Sequence, residues 1–143
     1  MRHILVLNSK GGCGKSTIAT SLAAYYAMRD ERVTLVDYDR QASSLDWLQR
    51  DLVRHAETIV VPVLPSTIDI VASGKFIDAL QEVGKVERRE VKLAVVGNRV
   101  REVTLIAQEL DEYLGKLKMP YVTKLREAQN YVRAYTRGLG IHE

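Results

Sequence analysis

Asn8-Ser9-Lys10-Gly11-Gly12-Cys13-Gly14-Lys15-Ser16-Thr17 lies between an apolar run at residues 3–7 (HILVL) and a helical pattern at residues 15–29. The run reads as a buried strand. In the helical pattern Ile18, Leu22, Tyr25 and Tyr26 fall on one face. A Gly-rich turn between strand and helix is the setting a phosphate-binding loop needs. Gly11, Gly12 and Gly14 let the backbone turn its N–H groups toward one point. The helix beginning near Lys15 adds its positive N-terminal dipole. Lys15 can reach β- and γ-phosphate oxygens, and the Ser16 hydroxyl can coordinate Mg²⁺. The strict pattern G-x-x-x-x-G-K-[ST] fails at its first position, where Ser9 stands. The plain alternative, a Gly-rich turn with a chance lysine, has the context on both sides against it.

Outward from this loop, short β-branched runs alternate with longer helical ones. Strands are expected at residues 32–37 (RVTLVD), 58–64 (TIVVPVL), 91–96 (VKLAVV) and 119–122. Pro62 places the second of these near an edge or a bulge. Helices are expected at 42–54, from a Ser66 or Thr67 cap to about Val83 with Gly84 as the stop, at 103–117 and at 127–137. Such alternation predicts the α/β class: a mostly parallel, doubly wound sheet with helices on both faces.

The chain has 143 residues, 46% hydrophobic and 27% charged, which fits one globular domain and excludes a disordered chain. Its apolar runs are too short for a transmembrane helix, and the first one stops at Asn8, short of a signal peptide. A single cysteine excludes an internal disulfide framework and suits a reducing compartment, so a cytoplasmic protein is expected. Cys13 reads as a small filler rather than a nucleophile, since no base partner is evident. His3, His55 and His142 show no metal-ligand spacing. Net charge is +3, unevenly spread: residues 1–84 hold 9 basic and 10 acidic residues, residues 85–143 hold 12 and 8. The second part is a candidate polyanion surface, or an ordinary solvated surface rich in Arg.

Lys10-Gly11-Gly12-Cys13-Gly14-Lys15-Ser16-Thr17 resembles the deviant Walker A motif of the ParA/MinD family of ATPases. The resemblance implies a P-loop NTPase-like fold, ATP or ADP with Mg²⁺ as cofactors, and a signature lysine, here Lys10. In that family this lysine reaches across an ATP-dependent homodimer to the partner's nucleotide. Val36-Asp37-Tyr38-Asp39-Arg40-Gln41 is similar to the family's Asp-x-Asp-Pro-Gln. By resemblance Asp39 orients the attacking water and Asp37 is an outer partner of Mg²⁺. Arg40 replaces the usual Pro. Residues 61–69 resemble the family's strand-to-helix passage, and residues 121–128 its late segment. Residues 96–100 resemble the strand end whose Asn, here Asn98, contacts adenine.

The family's Walker B strand, ending in Asp-Thr/Ala-Pro, has no counterpart between Trp47 and Thr58. The expectation is one domain over residues 1–143, shortened near residues 49–51 and at the C-terminus, with magnesium binding and hydrolysis placed in doubt. The reading is a ParA-like ATPase that dimerises on ATP and positions DNA or protein cargo. It would bind DNA nonspecifically through Arg99, Arg101, Arg133 and Arg137. A ParB-like or cargo-adaptor protein would stimulate it, and it would sit on the nucleoid, away from membranes. The rivals are a nucleotide-binding module without turnover and a MinD-like membrane switch. Against the latter, residues 130–143 lack an apolar stripe beside a basic one.

Overall fold

A computed structural model of the chain describes residues 2–37, 52–83, 86, 88, 90–117 and 120–137. Its elements in chain order are β1 (Ile4–Val6), α1 (Lys15–Ala27), β2 (Thr58–Val63), α2 (Thr67–Gln81), β3 (Lys92–Val100), α3 (Leu105–Lys116), β4 (Tyr121–Arg126) and α4 (Gln129–Thr136). The strands form one sheet in the order β1-β2-β3-β4, and every ladder is parallel. Parallel neighbours need long crossovers, and α2 and α3 supply those between β2 and β3 and between β3 and β4. The α/β class and the parallel sheet expected from the alternation are therefore present.

The core follows from two periods. Ile59, Val61 and Val63 alternate along β2 and are fully buried. On α2, Ile70, Ile77 and Leu80 fall on one face; on α3, Ala107, Leu110 and Leu114 do. These faces meet over β2 and β3 with Leu93, Val95 and Val100. Burying each Val, Leu or Ile among them stabilises by about 1.5–3 kcal/mol.

Three local expectations change. Residues 31–37 form no strand, and Val33, Leu35 and Val36 are exposed. A β-rich run becomes a strand only where a neighbour offers a ladder. Among the described residues no strand lies beyond β1 to offer one. Second, Pro62 sits on a central strand, paired in register with Val96. Val60 faces β1, where its carbonyl accepts from the Leu7 N–H at 2.9 Å. Pro62, two residues on, faces the same side beyond the last β1 pair, Val6 with Val60. The missing N–H thus falls where no ladder bond was due. Third, Ser66 occupies the N-cap position of α2 without a side-chain capping bond. The helix expected at 42–54 lies outside the described residues except for a turn at 52–55. Gly84 also lies outside them.

Candidate functional site

The chain leaves β1 through Asn8, which is 3% exposed. Its amide donates to the Pro62 carbonyl at 2.6 Å and to the Ser73 hydroxyl at 3.1 Å. Its oxygen accepts from the Lys10 N–H at 3.0 Å. One buried side chain therefore ties the end of β2, the helix α2 and the loop together. A turn before Ser73 on the same helix, Asp69 is 7% exposed, and its Oδ1 has no hydrogen-bond partner among the described residues.

The loop closes on itself. Cys13 is fully buried, and its thiol donates to the Lys10 carbonyl at 3.2 Å. The same carbonyl accepts from Lys15 Nζ at 2.9 Å. Burial pushes the Cys13 thiol above its ordinary pKa, against the pull of the Lys15 charge, so it is kept protonated. This fits a filler rather than a nucleophile. Gly12 and Gly14 have φ of 74° and 90°, the left-handed backbone from which anion-binding concavities are built. The first N–H of α1 with an intrahelical acceptor is that of Ile18, bonded to the Gly14 carbonyl at 3.0 Å. The amides of Lys15, Ser16 and Thr17 are therefore the donors the helix leaves to an anion.

The far end of β3 comes up against this loop. Asn98, 7% exposed, donates from Nδ2 to the Cys13 carbonyl at 2.8 Å and accepts at Oδ1 from the Arg99 N–H at 3.0 Å. Arg99 has φ 54°, unusual for a residue with a side chain, and sits where the β3–β4 register shifts. Alongside runs a cleft of about 200 Å³, lined by Thr17, Ile18, Ser21 and Leu22 of α1, Asn98 and Arg99 of β3, and Leu125, Arg126, Glu127, Ala128 and Tyr131. Its walls are mostly apolar, which suits a flat ring system.

Among the residues singled out in the sequence, Lys10, Gly11, Gly12, Cys13, Gly14, Lys15, Ser16, Thr17 and Asn98 are brought to one place. Asp37 is exposed at the end of the strandless segment 31–37, and Asp39 lies outside the described residues. Among the described residues no group of three or more His, Cys, Asp or Glu could hold a metal ion. The exposed Ser16 hydroxyl is an oxygen donor of the kind Mg²⁺ accepts, so it fits a metal carried in on phosphates. Of the arginines, Arg99 borders the cleft, and Arg101 pairs with Glu127 at the surface. Arg133 and Arg137 follow one another by a helical turn and are exposed. Asn8 opens the loop and Asp69 closes the passage at residues 61–69, yet sequence reading assigned neither a role. Ser73 and Tyr131 had no local signal at all.

Residues 4–141 match the CobQ/CobB/MinD/ParA nucleotide binding domain family. The chain is 24% identical over 188 residues to the Maintenance of carboxysome distribution protein A of Halothiobacillus neapolitanus, covering 98% of this chain and 86% of that one. The alignment is longer than the 143 residues here, so the relative has residues opposite which this chain has none. A shorter match, 48% identical over 48 residues, joins 34% of this chain to 19% of the chromosome-partitioning ATPase Soj of Thermus thermophilus. Among solved structures, an ATP complex of McdA from Cyanothece superposes with TM-score 0.62 at 11% identity, covering 99% of this chain and 89% of that one. A plasmid partition protein of Borrelia burgdorferi bound to AMPPNP gives 0.56 at 11% identity, covering 97% and 90%. At that identity the two structures speak for the fold alone. With the phosphate loop, the parallel sheet and the near-complete family match in agreement, the chain belongs to the ParA/MinD family of P-loop ATPases.

Proposed function

We propose that this chain is a positioning ATPase. It binds ATP with Mg²⁺ at residues 11–17, dimerises in that state, and holds DNA or protein cargo on the nucleoid in the cytoplasm. The observation that carries the reading is the assembled phosphate loop: left-handed Gly12 and Gly14, the free first-turn amides of α1, and Lys15 parked on the Lys10 carbonyl at 2.9 Å beside an apolar cleft. Triphosphate oxygens would draw Lys15 Nζ from the carbonyl, because a charged acceptor outcompetes a neutral one. The base would then lie against Thr17, Leu22 and Tyr131. Mg²⁺ carried on the phosphates, with Ser16 as a ligand, would neutralise the charge that builds up as the γ-phosphoryl group leaves. Lys10 would reach the partner's nucleotide, so nucleotide and dimer would stabilise each other. Relatives named for carboxysome distribution and chromosome partitioning support cargo positioning. An adaptor protein would stimulate turnover, and nonspecific DNA would hold the dimer through phosphate contacts. Among the described residues no helix is long and apolar enough to cross a membrane.

One observation favours a second reading, a nucleotide-binding module without turnover: Asp37 stands on an exposed segment outside the sheet. Calorimetry with Mg-ATP, followed by phosphate release with and without DNA, tests both. Binding that Lys15→Ala abolishes, with turnover, is the expected result. Binding without turnover selects the second reading, and undiminished affinity in Lys15→Ala overturns the site.

A further inference from the structure

Asn98 belongs to two things at once. It lines the cleft, and its Nδ2 holds the carbonyl of Cys13 inside the phosphate loop at 2.8 Å. Its amide orientation follows from its neighbours: the opposite one would set Oδ1 against a carbonyl and Nδ2 against the Arg99 N–H. The approach is close. A Cβ on Gly14 would lie 2.2 Å from Nδ2, so the loop and the amide fit only because residue 14 has no side chain. From behind, the Arg99 N–H holds Oδ1 at 3.0 Å, and that N–H is aimed by the left-handed backbone of Arg99. The brace comes from 85 residues away, and a left-handed backbone at a residue with a side chain points to use.

We infer that Asn98 is a positioning residue that braces the phosphate loop, and that it couples occupancy of the cleft to phosphate affinity. An amide has two N–H groups and two lone pairs on its oxygen. The loop and Arg99 use one of each, which leaves one donor and one acceptor for a purine edge. A base that engages them restrains the side chain already gripping Cys13, so the loop needs less further ordering to take up phosphates. By linkage the effect runs equally in both directions. The inference rests on the nucleotide reading of the site and deepens it.

The experiment uses the full chain and two probes that divide ATP: adenosine, and inorganic tripolyphosphate with Mg²⁺. Calorimetry on the wild type should show tripolyphosphate binding that tightens severalfold in saturating adenosine. Asn98→Leu keeps about the same bulk and adds no charge, but removes the donor to the Cys13 carbonyl. It should weaken tripolyphosphate alone by about tenfold and abolish the adenosine effect. If Asn98→Leu weakens ATP but leaves tripolyphosphate unchanged, Asn98 only touches the base and the bracing role is wrong. Equal tripolyphosphate affinity with and without adenosine in the wild type refutes the coupling, whether or not the variant folds. A wild type that binds neither tripolyphosphate nor ATP overturns the nucleotide reading itself, a result distinct from the other two.

Discussion

Replacing Gly14 by alanine should damage the chain in two ways that can be sized separately. The first is backbone strain. Gly14 has φ 90° and ψ 23°, and a residue with a Cβ held there costs on the order of 1–3 kcal/mol. The second is collision. The new Cβ would stand 2.2 Å from Asn98 Nδ2 and 3.4 Å from its Cγ, so the amide must leave. Its departure loses the bond to the Cys13 carbonyl, about 1 kcal/mol. Together these give roughly 2–4 kcal/mol. In a domain of this size, where about 1 kcal/mol shifts the midpoint by 3–4 °C, that is a fall in Tm of about 6–16 °C. Gly11→Ala is the control. Its Cβ meets nothing within 4 Å and its φ lies outside the left-handed region, so Tm should move by no more than about 3 °C. Thermal unfolding followed by circular dichroism decides. Equal shifts for the two variants, or a negligible one for Gly14→Ala, would refute the account of how loop and strand fit.

Lys10→Ala should still bind ATP but lose ATP-induced dimerisation, while Asp39→Ala should leave an ATP dimer that persists; light scattering with ATP and ADP checks both, and identical masses for all three proteins count against a shared nucleotide site. DNA retention by the ATP form should fall with salt by about 0.9 log unit per log unit for each phosphate neutralised. Replacing Arg99, Arg101, Arg133 and Arg137 together should weaken it for all sequences alike and flatten the slope; a strong preference for one sequence would defeat this. Because burial raises the Cys13 pKa in the fold, the neutral thiol's stability is fully present below the unfolded value of about 8.5 and is lost as pH rises past it. Relative to Cys13→Ala, the wild type should therefore lose Tm as pH rises above about 8.5, and a pH-independent difference would contradict the burial argument.

What could be read from residues alone was whatever neighbours in sequence accomplish together. The phosphate loop is such a unit, since strand, glycines, lysine and helix start are contiguous. The core faces of α2 and α3 are another, because Ile70, Ile77 and Leu80, or Ala107, Leu110 and Leu114, repeat at helical spacing. Residues 32–37 show the limit. Alternating Val33, Leu35 and their neighbours express a tendency to extend, but a ladder is a property of two strands, and one strand's sequence says nothing of the other's presence. Pro62 fails for a related reason. Its lost N–H matters only on the side it faces, and that side was fixed by where β1 happens to stop.

The cleft was illegible for a deeper reason. It is assembled from residues 17–22, 98–99 and 125–131, three segments far apart in sequence that the fold brings together beside the C-terminal ends of β3 and β4. Resemblance placed Asn98 at the base, yet no local pattern could show its grip on the phosphate loop, because Cys13 is 85 residues away in sequence. Gly14 joins the two kinds of information. A turn at a helix start already asks for a residue that tolerates positive φ, so the glycine can be read from its neighbours. The fold adds a second demand, since the amide of a distant strand presses where a Cβ would be. The two demands can be separated. Truncating the brace with Asn98→Ala should remove the steric part of the Gly14→Ala penalty and leave the backbone part, so the double variant should be less destabilised than the sum of the singles. Strict additivity in that cycle would mean that strand and loop touch without acting on each other.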